Sequence, residues 1–192
     1  ASLGHAECEY ELGLAHATGV GVIRNMEEAA EHYEAAAEIG SVEARYSLSL
    51  CHARGEGVAQ NDVQALRHLR LAAQTGHAKA QHTLGQMYED GDGVPQSMKH
   101  AAEWYGRAAE QGHVDAQCSL GIFFEQGTGV AEDPVAAVRW YARAALQGSA
   151  YAQNNLGRCY TLGRGLGRDH QRAVNWYRKA ARQGHAEAQY AL

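Results

Sequence analysis

The sequence predicts an all-α fold, a right-handed α/α solenoid superhelix of helix pairs, on three observations. The pattern Gly-x-x-x-Ala-Gln-x-x-Leu-Gly returns, with local departures, every 36 residues without insertion or deletion. Its leading glycine falls at Gly4, Gly40, Gly76, Gly112, Gly148 and Gly184, and its leucine at Leu12, Leu48, Leu84, Leu120, Leu156 and Leu192. Inside each period the apolar residues follow helical spacing. A Gly-x-Gly pair and a polar residue separate two such stretches each time. A fixed period of this size marks supersecondary units that bury their apolar faces on their neighbours.

The period divides the chain into repeats 4–39, 40–75, 76–111, 112–147 and 148–183, with part of a sixth at 184–192, all in one domain spanning 1–192. The abrupt start at Ala1 and the break nine residues into the sixth repeat suggest a piece of a longer array, or one with divergent caps elsewhere.

The elements of one repeat can be justified in order. From His77 to Asp90, Ala80, Leu84, Met87 and Tyr88 form one face of a first helix. Gly91 and Gly93 then turn the chain, as do Gly19/Gly21, Gly55/Gly57, Gly127/Gly129 and Gly163/Gly165, since glycine accepts positive φ. The apolar residue that follows (Val22, Val58, Val94, Val130, Leu166) is expected to plug the gap between the two helices. Asn25, Asn61, Ser97, Asp133 and Asp169 share the next position and are favoured N-caps. Glu28 and Gln64, three residues on, are placed to close capping boxes, and Pro134 fits a first helical position. The second helix carries Ala101, Trp104, Tyr105, Ala108 and Ala109, matched by Ala137, Trp140, Tyr141, Ala144 and Ala145. Paired alanines let helices approach closely, and the aromatics are expected to fill the core.

Period and pattern together resemble the Sel-1-like repeat, a relative of the tetratricopeptide repeat. The residues that carry the resemblance are Ala116, Leu120, Gly121, Phe124, Gly127, Gly129, Val130, Asp133, Ala137, Trp140, Tyr141, Ala144, Ala145 and Gly148. A 36-residue period favours this branch over the 34 of the tetratricopeptide repeat. Departures cluster in the first two repeats: Cys8 for alanine, Ser49 for glycine, and His32-Tyr33 and His68-Leu69 for Trp-Tyr. The resemblance implies a non-enzymatic adaptor or scaffold for a protein or peptide partner. One cysteine-rich bacterial branch is linked to penicillin binding and weak β-lactamase activity, but it pairs cysteines within each repeat. A structural spacer or self-assembling array is a further reading.

The residues themselves hold little chemistry. Cys8, Cys51, Cys118 and Cys159 fall in different repeats, which argues against a disulfide framework or zinc site and for reduced thiols. His5, His77, His113 and His185 share one repeat position, His16 and His52 another, His32 and His68 a third, so register points to structural roles. No nucleophile motif occurs, and neither a catalytic residue, a cofactor nor a metal is expected. Gly163-Arg164-Gly165-Leu166-Gly167-Arg168 faintly suggests a phosphate loop, but no strand precedes it and it reads as a turn. The net charge of −5 argues against generic nucleic-acid binding. Neither a signal-peptide pattern nor an apolar run long enough for membrane insertion is present, and the compartment stays open.

A partner is expected on the concave first-helix face. Offsets 3, 6, 10, 13 and 14 from each leading glycine lie within about 100° of arc and vary between repeats. Tyr46, Leu50, Arg54, His82, Gln86, Glu89, Asp90, Cys118, Ile122, Glu125, Asn154 and Arg158 are the candidate contacts. Charge is polarised along the chain. Repeat one sets eight acidic residues against Arg24, a net of −7, and repeat five sets seven basic residues against Asp169, a net of +6. Weak head-to-tail self-association of a monomer is the expected consequence.

Overall fold

The computed structural model describes residues 2–192, with side chains from Gly4 onward. Those residues form eleven helices and no strand. They are α1 (Ser2–Thr18), α2 (Met26–Glu38), α3 (Val42–Arg54), α4 (Asp62–Gln74), α5 (Ala78–Asp90), α6 (Met98–Glu110), α7 (Val114–Gln126), α8 (Pro134–Leu146), α9 (Ala150–Leu162), α10 (His170–Arg182) and α11 (Ala186–Tyr190). Odd-numbered elements are the first helices of the repeats and even-numbered ones the second, as the 36-residue register requires. The chain forms two compact units, one up to Leu84 and one from Gly85 onward.

In the first unit, Ala29, Tyr33, Ala36, Ala37, Ala44, Leu48 and Cys51 form a core with Tyr10, Ala17, Met26 and Val58 against it. In the second unit, Ala101, Ala102, Tyr105, Ala108, Ala109, Ala116, Leu120 and Phe123 make one cluster. Ala137, Tyr141, Ala144, Ala145, Ala152, Leu156 and Cys159 belong to the next. The alanines on facing helices leave gaps that a tyrosine fills.

The glycine that follows the motif leucine on each first helix is part of that packing. A Cβ at Gly13, Gly85, Gly121 or Gly157 would lie 2.7, 2.7, 2.6 or 2.8 Å from the ring of Tyr33, Tyr105, Tyr141 or Tyr177 respectively. Repeat two changes both members at once: Ser49 stands for the glycine and Leu69 for the tyrosine, and both are buried. The smaller Leu69 makes room for the Ser49 side chain, whose hydroxyl donates to the Tyr46 carbonyl at 2.6 Å. The two departures are therefore one compensated exchange.

The turn glycines behave as expected. Gly127 ends α7 in the left-handed region at φ 70°. Gly129, at φ 69°, also lies so close to the preceding repeat that a Cβ would sit 2.2 Å from the Met98 carbonyl oxygen. Val58, Val130 and Leu166 pack into the cores, but Val22 is 39% exposed and plugs nothing.

All five predicted N-caps accept backbone N–H bonds from the following turn. The capping boxes do not close, because each cap's own backbone N–H is already used. Asn25 donates to His16, Asn61 to His52, Ser97 to Tyr88, Asp133 to Phe124 and Asp169 to Tyr160, at 2.8–3.0 Å. These bonds clasp the start of each second helix to the first. Glu28 instead accepts from the Asn25 side-chain amide at 2.9 Å.

The register histidines are caps too. Nδ1 of His77, His113 and His185 accepts from the backbone N–H three residues on, at 3.1, 3.3 and 3.4 Å, where Ser41 and Ser149 use a hydroxyl. His16 stacks on His32 at 5.5 Å and His52 on His68 at 5.7 Å, at the positions where later repeats pair a tyrosine or phenylalanine with tryptophan. The tyrosine of each Trp-Tyr pair is core, but Trp104, Trp140 and Trp176 are only half-buried. Their outer faces carry Arg107, Arg143 and Lys179 at 4.1–4.5 Å.

The motif glutamine has a packing duty of its own. Gln81, Gln117, Gln153 and Gln189 each donate to a carbonyl of the preceding second helix, those of Ala73, Ala109, Ala145 and Ala181, at 3.0–3.2 Å. In the second unit Gln147 then donates to Gln117 and Gln183 to Gln153, both at 2.9 Å. Buried Gln117 and Gln153 are thus hydrogen-bonded both to the helix before them and to the exposed glutamine that ends the next second helix.

Candidate partner-binding face

On each first helix one face is buried by the alanine–leucine stripe, and neighbouring helices flank it. The five expected offsets divide into two sets. Offsets 6 and 13 turn towards the next repeat. Tyr46 stacks on His77 at 4.5 Å, Cys118 Sγ lies 3.4 Å from the Ser149 hydroxyl, and the Asn154 amide donates to Glu187 at 3.0 Å. Cys118, Glu125 and Asn154 are thereby buried, at 8%, 7% and 6% exposure, so they are not the open surface that the sequence suggested. Repeat-to-repeat contact covers these positions. His82 is half-buried, as is Glu89.

Offsets 3, 10 and 14 stay outward. On α9 they are Tyr151, Arg158 and Leu162, exposed by 46%, 48% and 54%. At 100° per residue the three fall within about 40° of arc, so they form one stripe. The residues 152–157 between them are all buried. On α7 the same stripe is Asp115, Ile122 and Gln126, with Ile122 half-buried against the core. In the first unit the same offsets on α3 hold Leu50, which is half-buried, and Arg54, which is exposed 3.9 Å from Glu56. Gln86 and Asp90 are exposed on α5.

One polar node in the second unit joins two predicted residues that the sequence did not connect. Glu125 Oε2 accepts from Arg158 Nη2 and from the Tyr141 hydroxyl, both at 2.7 Å. Arg164 reaches over from the following turn, donates to the Glu125 backbone carbonyl at 3.0 Å and pairs with Glu132 at 2.9 Å. A carboxylate as buried as Glu125 requires such charged and hydrogen-bonding partners. Burial, and then the bond to Glu125, push the Tyr141 hydroxyl well above the usual phenol range, so it stays a proton donor. Tyr141, Arg164 and Glu132 were missed as members. The legible signal was an arginine 33 residues after the glutamate, which puts it on the next repeat beside that glutamate.

The four cysteines are free, and burial pushes the Cys159 thiol up to about 11, which leaves it protonated and unreactive. Among the described residues no cluster of three or more His, Cys, Asp or Glu side chains could hold a metal. The turn at 163–168 is a helix terminus: Gly163 takes the left-handed conformation and Arg168 donates to the Leu162 carbonyl at 3.1 Å. No helix among the described residues is long and apolar enough to cross a membrane.

Comparison with known proteins agrees with this architecture. The Sel1 repeat family model matches residues 6–41, 42–77, 78–113, 114–149 and 150–185. The solved structure of c5321, a protective antigen present in uropathogenic Escherichia coli strains and displaying an SLR fold, is 33% identical. The match covers 99% of this chain and 41% of that one, with a TM-score of 0.91. A Sel1 repeat protein from Oxalobacter formigenes is 37% identical, over 95% of this chain and 73% of that one, with a TM-score of 0.84. Helicobacter pylori cysteine rich protein B is 25% identical over 65% of this chain and 94% of its own, with a TM-score of 0.52. The chain thus spans less than half the length of the E. coli antigen chain. No curated protein sequence matches it.

Proposed function

This chain belongs to the Sel1 repeat family, whose members commonly act as protein–protein interaction scaffolds, and from that premise we propose that it is a non-catalytic scaffold. Its first-helix surface receives a peptide or protein partner. The observation that carries the reading is the α9 stripe of Tyr151, Arg158 and Leu162, exposed on a helix whose residues 152–157 are all buried. Tyrosine and arginine give large contact area and directional bonding, and they dominate the energetics of protein interfaces. An apolar leucine beside them adds burial on docking.

The reading is tested by affinity capture of partners on the immobilised chain, followed by Tyr151→Asp with Leu162→Asp. Captured partners are expected to lose at least tenfold in affinity while the helical circular-dichroism signal is unchanged. Retention through both changes, with loss on substitution of exposed second-helix residues such as Arg139 and Arg143, would place the binding face elsewhere.

A further inference from the structure

Repeats three and four carry the same carboxylate–phenol pair, and only one of the two holds a cation. In repeat four, Glu125 Oε2 takes the Tyr141 hydroxyl and Arg158 Nη2, each at 2.7 Å. In repeat three, Glu89 Oε2 takes the Tyr105 hydroxyl at 2.5 Å. The residue 36 before Arg158 is Ile122, and the residue 36 before Arg164 is Thr128, so neither cation has a counterpart at Glu89. No Lys, Arg or His side chain forms an ion pair with Glu89 among the described residues. Exposed Asp90 and Asp92 keep the surroundings acidic. The phenols register the difference: Arg158 opposes the rise at Tyr141, whereas the charges acting on Tyr105, those of Glu89 and Asp90, only add to it.

We infer that Glu89 is the receptor for an arginine side chain of the partner, whose guanidinium takes at Glu89 the place that Arg158 takes at Glu125. The inference rests on the reading of the first-helix surface as the docking face. The chain itself supplies the precedent, since an identical Glu–Tyr pair one repeat on is occupied by a guanidinium. The planar guanidinium fork can serve the remaining Glu89 oxygen as well, and its apolar stem can lie along half-buried Ile122. A lysine offers only a point charge there, so arginine is the better fit.

The test titrates the 15N-labelled chain with the acetylated, amidated peptide Gly-Leu-Arg-Leu-Gly and with its citrulline analogue, which keeps the shape and loses the charge. The arginine peptide is expected to shift the amide signals of Glu89, Tyr105 and Ile122 and to bind at least tenfold more tightly than the citrulline peptide. Glu89→Gln removes the charge and Ile122→Arg fills the place from within, so each should abolish that preference. Ile122→Arg should also raise the thermal midpoint, and it carries the test alone if Glu89→Gln misfolds. Equal affinity for the two peptides, absence of the shifts, or a preference that survives Ile122→Arg would overturn the inference. A captured partner that is lost with Tyr151→Asp and Leu162→Asp but is indifferent to Glu89→Gln would also overturn it, while leaving the scaffold reading intact.

Discussion

At the residue scale, the exchange in repeat two shows how two departures from a pattern can be one physical event. The Ser49 side chain and a tyrosine ring at position 69 compete for the same space, because a Cβ at the equivalent glycines lies only 2.6–2.8 Å from the ring. Leu69→Tyr alone is therefore an overpacking change and should cost about 1–3 kcal/mol. Ser49→Gly alone should also destabilise, through helix entropy and the lost bond to Tyr46. Made together they restore the pair found in the other repeats. A double-mutant cycle in urea should give a coupling of about 0.5–3 kcal/mol in favour of the pair. Strict additivity would mean that the two positions do not share the space. The stacked histidines of repeat two make a second residue-scale prediction. Burial first, then His52 beside it, lowers the pKa of His68, with Arg67 and Arg45 adding to the effect and Glu34 opposing it. Nδ1 of both rings is buried without a hydrogen-bond partner. The fold therefore holds His68 neutral, and its contribution is complete above the unfolded value of about 6.5 and is lost as pH falls through the depressed folded pKa. Thermal midpoints should drop between pH 7.5 and pH 5, and His68→Phe should flatten that slope. An unchanged slope in the variant would assign the acid sensitivity to another group.

At the element scale, the sequence was legible wherever a rule operates inside one repeat. Helix pairs, turn glycines and N-caps each have local causes that recur at one register, so internal comparison exposes them. The cap role of His77, His113 and His185 was legible in principle, because Ser41 and Ser149 stand at the same register and serine is a strong cap. What was not legible is which outward positions the next repeat covers. Glu125 and Asn154 vary between repeats like surface residues, yet neighbours bury them, because a charged or amide side chain with a matched partner packs as readily as an apolar one. The two glycines of one turn separate these local and inter-repeat causes. Gly127 and Gly129 have φ of 70° and 69°, so alanine pays the same left-handed penalty at both, about 1–2 kcal/mol. At Gly127 the nearest atoms to a new Cβ stand at 3.3 Å, whereas at Gly129 the Met98 carbonyl stands at 2.2 Å and cannot yield without moving α6. Gly127→Ala should stay near the strain cost, and Gly129→Ala should exceed about 4 kcal/mol. Equal losses in chemical denaturation would show that inter-repeat approach is not what the second glycine serves.

At the scale of the whole molecule, charge is distributed so that repeat one is acidic and repeat five basic, and the structure revises how much of that charge is available. In repeat one, Glu7, Glu11, Glu27, Glu28, Glu31, Glu34 and Glu38 are exposed, while Glu9 is held by His32 at 2.8 Å. In repeat five, Arg158 and Arg164 are committed to Glu125 and Glu132 of repeat four, and Arg172 lies 3.2 Å from Asp169. Arg168, Arg178, Lys179 and Arg182 remain exposed without an acidic partner. Attraction between the acidic region of one molecule and the basic region of another is heterologous, so it adds molecules in open chains and does not close a dimer. Exposed charges interact over about 30 Å at 0.01 M salt but only about 8 Å at 0.15 M. Surface pairs are worth roughly 0–1 kcal/mol each, too little to hold an assembly once screened. We therefore expect a monomer at 0.15 M salt and concentration-dependent association at 0.01 M, read as a rising sedimentation coefficient. Arg178→Glu with Arg182→Glu should remove the low-salt association, since both side chains are exposed. An oligomer that keeps its size across that salt range would instead be joined by apolar surface. Exposed Tyr151 and Leu162 would then be the first candidates, which would turn the proposed partner face into a self-assembly face.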